Sequence, residues 1–321
     1  MSDATQSPGA TGGWGYRALI VSIALSAAGY LALSVWAGWR DLFDAVSAVG
    51  LAGTAVAFGL SLVNYVLRFV RWQRYLRVLG HKVPWWPSFR IYMAGFALTT
   101  TPAKLGELVR SVFLKRFGIK HAESAAAFFA ERLSDLIAIL LITAIGVSSH
   151  PAARPWVIGV AAITCLILLT LHNHRWLDYV GSLGRQLRWR RARELWVSLI
   201  DMVVQFRRLF GLPVMAYSTV LSVIAWAAEA QGFYLVARWM GADITFAEAW
   251  FIYGFATLVG ALSFIPGGLG STEVVMVGLL LLAGMPEPQA IACTLFVRVA
   301  TLWFAVALGL IALPPRQSAS R

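Results

Sequence analysis

Eight ionisable residues sit inside or beside long apolar stretches: Glu107, Arg110, Glu131, Arg132, Asp135, Glu229, Glu273 and Arg298. A guanidinium group can hold phosphate oxygens bidentately, so Arg132, Arg298 and Arg110 are candidates to receive an anion. The carboxylates would then balance those cations, bind a cationic group or carry protons. A plainer assignment stays open for Glu131, Arg132 and Asp135. The two acids are four residues apart and share a helix face, and Arg132 reaches Asp135 at the i,i+3 spacing, which suffices for a structural ion-pair cluster. Glu107 and Glu273 each follow a Pro/Gly-rich segment, where an acid also stabilises a helix N-terminus. Five histidines form neither an HxxxH nor an HExxH pattern, and Cys165 and Cys293 stand singly in apolar runs. No catalytic residue, metal site or cofactor is therefore expected, and the chain is not expected to be an enzyme.

The elements that must position these charges are membrane helices. Of the 321 residues 59% are apolar and 13% charged, against about a quarter charged in soluble domains; mean hydropathy is +0.71. Uncharged runs cover 18–39, 45–67, 136–153, 209–228, 249–272 and 299–315, and about 20 apolar residues cross a bilayer. Charged groups at that depth cost at least about 2.5–3.5 kcal/mol each on insertion scales, so eight of them imply a polar interior. The net charge of +12 could also suggest a nucleic-acid binder, but 19 of the 27 Lys/Arg residues cluster in 68–90, 103–124 and 172–211. That distribution predicts cytoplasmic loops, and no nucleic-acid partner. Spans near 17–38, 49–70, 122–148, 155–172, 212–237 and 288–313 satisfy it with both termini cytoplasmic, in a bacterial inner membrane. Residues 192–210 place Leu195, Leu199, Met202, Val203, Phe206 and Phe210 on one stripe, which predicts an amphipathic helix on the cytoplasmic surface.

Two segments outside these spans resemble each other. FALTTTPAKLGE (96–107) and GALSFIPGGLGSTE (260–273) share Pro-x-x-Leu-Gly followed by an acid. Pro102 matches Pro266 and Gly106 matches Gly270 at an offset of 164, Glu107 matches Glu273 and Arg132 matches Arg298 at 166, and Gly80, Val83 and Tyr92 match Gly241, Ile244 and Tyr253 at 161. Pro102, Gly106, Pro266, Gly267, Gly268 and Gly270 mark the tips of two broken hairpins. Broken backbone at membrane depth is tolerated where protein buries it or where it lines a wet cavity. The expected fold is an all-α polytopic membrane protein with about six full spans and two Pro/Gly-broken hairpins, about eight nominal transmembrane helices, in the inverted-repeat layout of secondary transporters. Its parts are a flexible leader (1–15), a transmembrane domain (16–313) with halves about 49–148 and 212–313 joined by a linker of about 173–211, and a short cytoplasmic tail (314–321).

TPAKLGELVRSVFLKR (101–116), AAAFFAERLSDL (125–136) and FIPGGLGSTE (264–273) resemble the flippase-like transmembrane domain of the lysylphosphatidylglycerol synthase/flippase family, also called the UPF0104 group. The resemblance covers roughly residues 16–313 and lands on Pro102, Gly106, Glu107, Arg110, Glu131, Arg132, Asp135, Pro266, Gly267, Gly268, Gly270 and Glu273. It implies movement of a lipid headgroup between leaflets. The soluble aminoacyl-transferase domain of full-length synthases is missing after the last apolar run, so synthesis of aminoacylated lipid by this chain alone is not expected. The expected partner is a membrane lipid with an anionic headgroup, a phospholipid or glycolipid. A small-anion or proton-coupled carrier, a non-catalytic subunit beside a lipid-modifying enzyme, and a homo-oligomer all remain open.

Overall fold

The computed structural model describes residues 46–172 and 190–313. The expected first span (17–38), the leader and the tail lie outside the described residues, as does most of the linker's first half. Among the described residues every regular element is helical. The helices are α1 (Val46–Val78), α2 (Trp85–Phe96), α3 (Arg110–Leu114), α4 (His121–Gly146), α5 (Arg154–His172), α6 (Arg190–Arg208), α7 (Leu212–Trp239), α8 (Phe246–Leu262), α9 (Ser271–Leu282), α10 (Glu287–Arg298) and α11 (Phe304–Ala312). A π-helical turn, Val299–Trp303, joins α10 to α11.

Among the described residues four helical segments are long and apolar enough to cross a membrane: Val46–Val78, Pro151–Thr170, Leu212–Trp239 and Glu287–Ala312. At 26 residues α4 is equally long but carries Glu131, Arg132 and Asp135. Apolar side chains on the outside of the bundle, among them Leu51, Val63, Ile163, Leu169, Leu282 and Ile311, are exposed. A surface of that kind suits lipid rather than water.

Two apolar cores organise the molecule. One gathers Val49 of α1, Ile142 of α4, Ala153, Ala242, Ile244 and Met285; the other gathers Leu76 of α1, Leu79, Val83, Ile119, Ala126 of α4 and Leu209. Thus α1 begins in the first core and ends in the second, and α4 runs the opposite way. The hairpin α2–α3 starts and ends at the second core, where His81 Nε2 and Glu123 Oε2 are hydrogen-bonded at 2.9 Å. The hairpin α8–α9 starts and ends at the first core. The two hairpins therefore enter from opposite ends, as an inverted repeat requires.

Local backbone repeats as well. α1 is closed by Gly80 (φ 98°) and α7 by Gly241 (φ 90°), with Gly118 (φ 74°) and Gly284 (φ 84°) ending the hairpins at matched positions. Both α1 and α7 end with the same pair of reversed bonds, Gly80 N to Arg77 O and His81 N to Leu76 O, and Gly241 N to Arg238 O and Ala242 N to Ala237 O. A left-handed glycine satisfies the last carbonyls in this way.

Two expectations need correction. Arg68 and Arg71 were grouped with the basic loop residues of 68–90, but α1 continues to Val78 and buries both, leaving Arg74, Arg77 and Lys82 exposed. The stripe on α6 does not simply lie on a surface. Its C-terminal half packs against α4, burying Phe206, while Leu199 remains exposed.

Candidate functional site

The first hairpin closes around a buried network of ions. Along α1, Asn64, Arg68, Arg71 and Tyr75 follow the i, i+4, i+7, i+11 pattern of one helix face, and all four are buried. That face meets the acids of α4. Arg71 bonds Asp135 at 2.7 Å and lies 3.5 Å from Glu131, and it also bonds Ser222 Oγ of α7. Arg68 pairs with Asp135 at 3.4 Å. From α3, Arg110 bonds Glu107 and Glu131, each at 2.9 Å, with its guanidinium 4.1 Å from the centroid of the Tyr92 ring. Gly95 allows that approach, since a Cβ there would collide with Arg110. Tyr92 Oη donates to Glu131 at 3.1 Å and Thr99 Oγ1 to Glu107 at 3.0 Å. Arg132 reaches Asp135 at 3.2 Å and Glu107 at 3.7 Å. Each of these carboxylates is held by at least two cations, the arrangement that makes burial of charge tolerable.

The two tips meet beside this network. A short 3₁₀ segment, Pro102–Val109, forms the first and Pro266–Gly268 the second; they touch, and a Cβ on Gly267 would lie 3.5 Å from the Thr100 Cα. Thr101 Oγ1 holds the first turn by accepting from Gly106 N at 2.6 Å. In the second, Arg298 donates to Glu273 Oε1 and to Gly267 O, both at 2.7 Å. Glu273 also accepts from Gly270 N at 2.7 Å, which caps α9.

Between the tips lies a cavity of about 340 Å³ lined in part by Lys104, Arg132, Asp135, Trp226, Thr272 and Arg298. A narrower cavity of about 60 Å³ shares Lys104, Trp226, Thr272 and Arg298 with it and adds Tyr65, Arg68, Glu229 and Tyr253. Four cations, Arg68, Lys104, Arg132 and Arg298, thus face one connected space. Arg68 and Arg132 each keep a buried Nε–H without a hydrogen-bond acceptor, while their Nη2 groups are taken up in the ion pairs with Asp135. Among the described residues the Lys104 ammonium makes neither ion pair nor hydrogen bond; it lies 5.8 Å from the centroid of the Trp226 ring. The rim of the wider cavity includes Leu105, Phe129, Leu262 and Ile265, all exposed.

Comparison with known proteins agrees with this architecture. The family described as lysylphosphatidylglycerol synthase TM region matches residues 19–309. The chain belongs to this family. A UPF0104 membrane protein of Methanothermobacter thermautotrophicus is 29% identical to it, over 90% of each chain. One from Pyrococcus horikoshii is 23% identical over 92% of this chain and 95% of its own. A phosphatidylglycerol lysyltransferase of Staphylococcus haemolyticus is 34% identical over 43% of this chain, but only 15% of that larger protein is covered. The match is to the family's membrane region.

Within that family domain, the residues singled out from sequence divide by location. Arg132, Asp135, Arg298, Gly267 and Gly268 line the wider cavity. Glu107, Arg110 and Glu131 stand behind it, fully buried in the ion network. Glu273 holds Arg298 from behind. Pro102 opens the 3₁₀ segment of the first tip, Gly106 packs against Leu98, Pro266 opens the second turn and Gly270 caps α9. Sequence reasoning missed Arg68, Arg71 and Lys104, which it counted as loop charges. For Arg68 and Arg71 the burial depends on acids far away in the chain, and Lys104 offered no signal.

Proposed function

We propose that the protein moves a lipid with an anionic headgroup between the leaflets of the membrane it spans, the bacterial inner membrane. The headgroup would occupy the cavity between the tips while the acyl chains remain in lipid. The observation that carries this reading is the cavity's two-sided character. Lys104, whose ammonium has no ion pair among the described residues, lines the cavity together with Arg132 and Arg298, and the exposed apolar rim of Leu105, Phe129, Leu262 and Ile265 faces the surroundings. Guanidinium and ammonium groups with unfilled donor positions suit phosphate oxygens. An apolar mouth suits an alkyl chain, which a small hydrophilic anion would not need.

Lys104 adds support. It stands at φ 56°, a left-handed conformation, where the second tip has Gly268 at φ 66°. A side chain in that region costs about 1–2 kcal/mol, and backbone strain of this kind collects at functional positions. The two tips would open in alternation toward the two leaflets, with binding and positioning rather than bond chemistry as the protein's task. Lys104→Ala and Arg132→Ala are expected to slow movement of a fluorescent phosphatidylglycerol in proteoliposomes at least about tenfold, the loss of one charge-assisted contact, with the protein still monodisperse. Wild-type rates in both variants would overturn the proposal.

A further inference from the structure

We infer that Glu229 is a proton-binding site whose occupancy is linked to the presence of an anion in the cavity; the inference rests on the anion-binding reading above. The interior carboxylates Glu107, Glu131, Asp135 and Glu273 each have an arginine within 2.9 Å or a shorter distance. Glu229 differs from all of them. It is buried near the middle of α7, its hydrogen bond comes from Tyr253 Oη at 2.5 Å, and among the described residues no cation lies within ion-pair distance. It also lines the narrow cavity that holds Lys104. The cavity thus contains one cation without a carboxylate and one carboxylate without a cation, on opposite halves of the repeat.

The groups facing Glu229 are Tyr65 and Arg68 from α1, Lys104 from the first tip, Asp135 from α4, Tyr253 from α8 and Arg298 from α10. With the cavity empty of anions, the positive field of Arg68 and Lys104 opposes protonation of Glu229, against the burial that favours the neutral acid. A phosphate group bound to those cations cancels that field and adds negative charge next to Glu229. The carboxylate then takes up one proton from water and stays bonded to Tyr253 as a neutral acid; when the anion leaves, the proton returns to water. Linkage is reciprocal, so protonation of Glu229 tightens anion binding to the same degree. A proton and an anionic headgroup would travel in the same direction.

The test is calorimetric titration of the purified full chain with dihexanoyl phosphatidylglycerol and, separately, with inorganic phosphate, in neutral buffers of different ionisation enthalpy. That comparison counts protons taken up per anion bound. The wild type should take up about one proton more than Glu229→Gln, whose amide oxygen can still accept from Tyr253. Tyr253→Phe keeps the carboxyl, so its proton uptake should persist with a shifted pH midpoint, which covers the case that Glu229→Gln fails to fold. Equal counts in wild type and Glu229→Gln, or no shift in Tyr253→Phe, would overturn the inference while leaving the lipid reading intact. Proton-linked binding of phosphate without binding of the lipid would support the inference and remove the lipid reading. Binding of neither probe removes both.

Discussion

The two tips share a backbone turn and differ in what stabilises it. Both follow a short helix, turn at a proline and place the second residue after it in the left-handed region, Lys104 in one and Gly268 in the other. Both then present an acid to an arginine of the following long helix, Glu107 to Arg132 and Glu273 to Arg298. Beyond that pair they diverge. The first tip rests on Arg110, Glu131 and Asp135, and the equivalent positions of the second half are Met276, Val297 and Thr301. Met276 and Val297 are buried apolar side chains. One tip is held by a charge network that reaches α1, the other by packing and the Glu273–Arg298 ion pair. Arg68 and Glu229 also occupy equivalent positions, 161 residues apart and opposite in charge. A duplicated backbone has therefore kept its geometry and divided its electrostatics, leaving the excess of free donors on one wall of the cavity.

Removing the counter-charge on the ionic side should give the largest effect on stability. Asp135→Ala leaves Arg68, Arg71 and Arg132 without their shared carboxylate and is expected to cost about 3–5 kcal/mol, seen as loss of monodisperse protein on size-exclusion chromatography. The matched change on the other side, Thr301→Ala, should leave the elution profile unchanged; equal damage from both would break the comparison. Glu273→Gln comes next. It weakens the Glu273–Arg298 ion pair and the cap of α9 together, for about 1–2 kcal/mol, readable as a lower melting temperature in a thermal-shift assay. Smallest is Lys104→Gly, which makes the first tip resemble the second. It relieves the left-handed strain and breaks no ion pair, so melting should stay level or rise slightly, by up to about 1 kcal/mol, while lipid movement is lost. A fall in melting temperature would show that Lys104 is structural.

Much of this was legible in the sequence. The repeat could be read because glycine and proline at Gly80, Pro102, Gly241 and Pro266 mark backbone conformations that few other residues adopt, so their spacing survives when side chains change. Arg132 with Asp135 was legible because an i,i+3 pair is local. Arg68 and Arg71 were not, because a basic residue in the last turns of a span looks the same whether it emerges into water or turns inward; only the acids of α4, 60 residues or more away, decide it. The Glu107–Arg110 pair is local too, at i,i+3, but its third member, Glu131, arrives only through the fold.

Composition and spacing by themselves determined a polytopic helical membrane protein with a repeated, Pro/Gly-broken hairpin and charges at depth. These properties follow from local chemistry: the cost of apolar surface in water, of bare backbone in lipid, and of side chains at positive φ. The tertiary structure decided which charges neutralise one another, that the two tips touch, and that Lys104 and Glu229 are left unpaired in one cavity. Those facts depend on distances between side chains far apart in the chain, because electrostatic pairing in a low-dielectric interior is set by where the helices bring them.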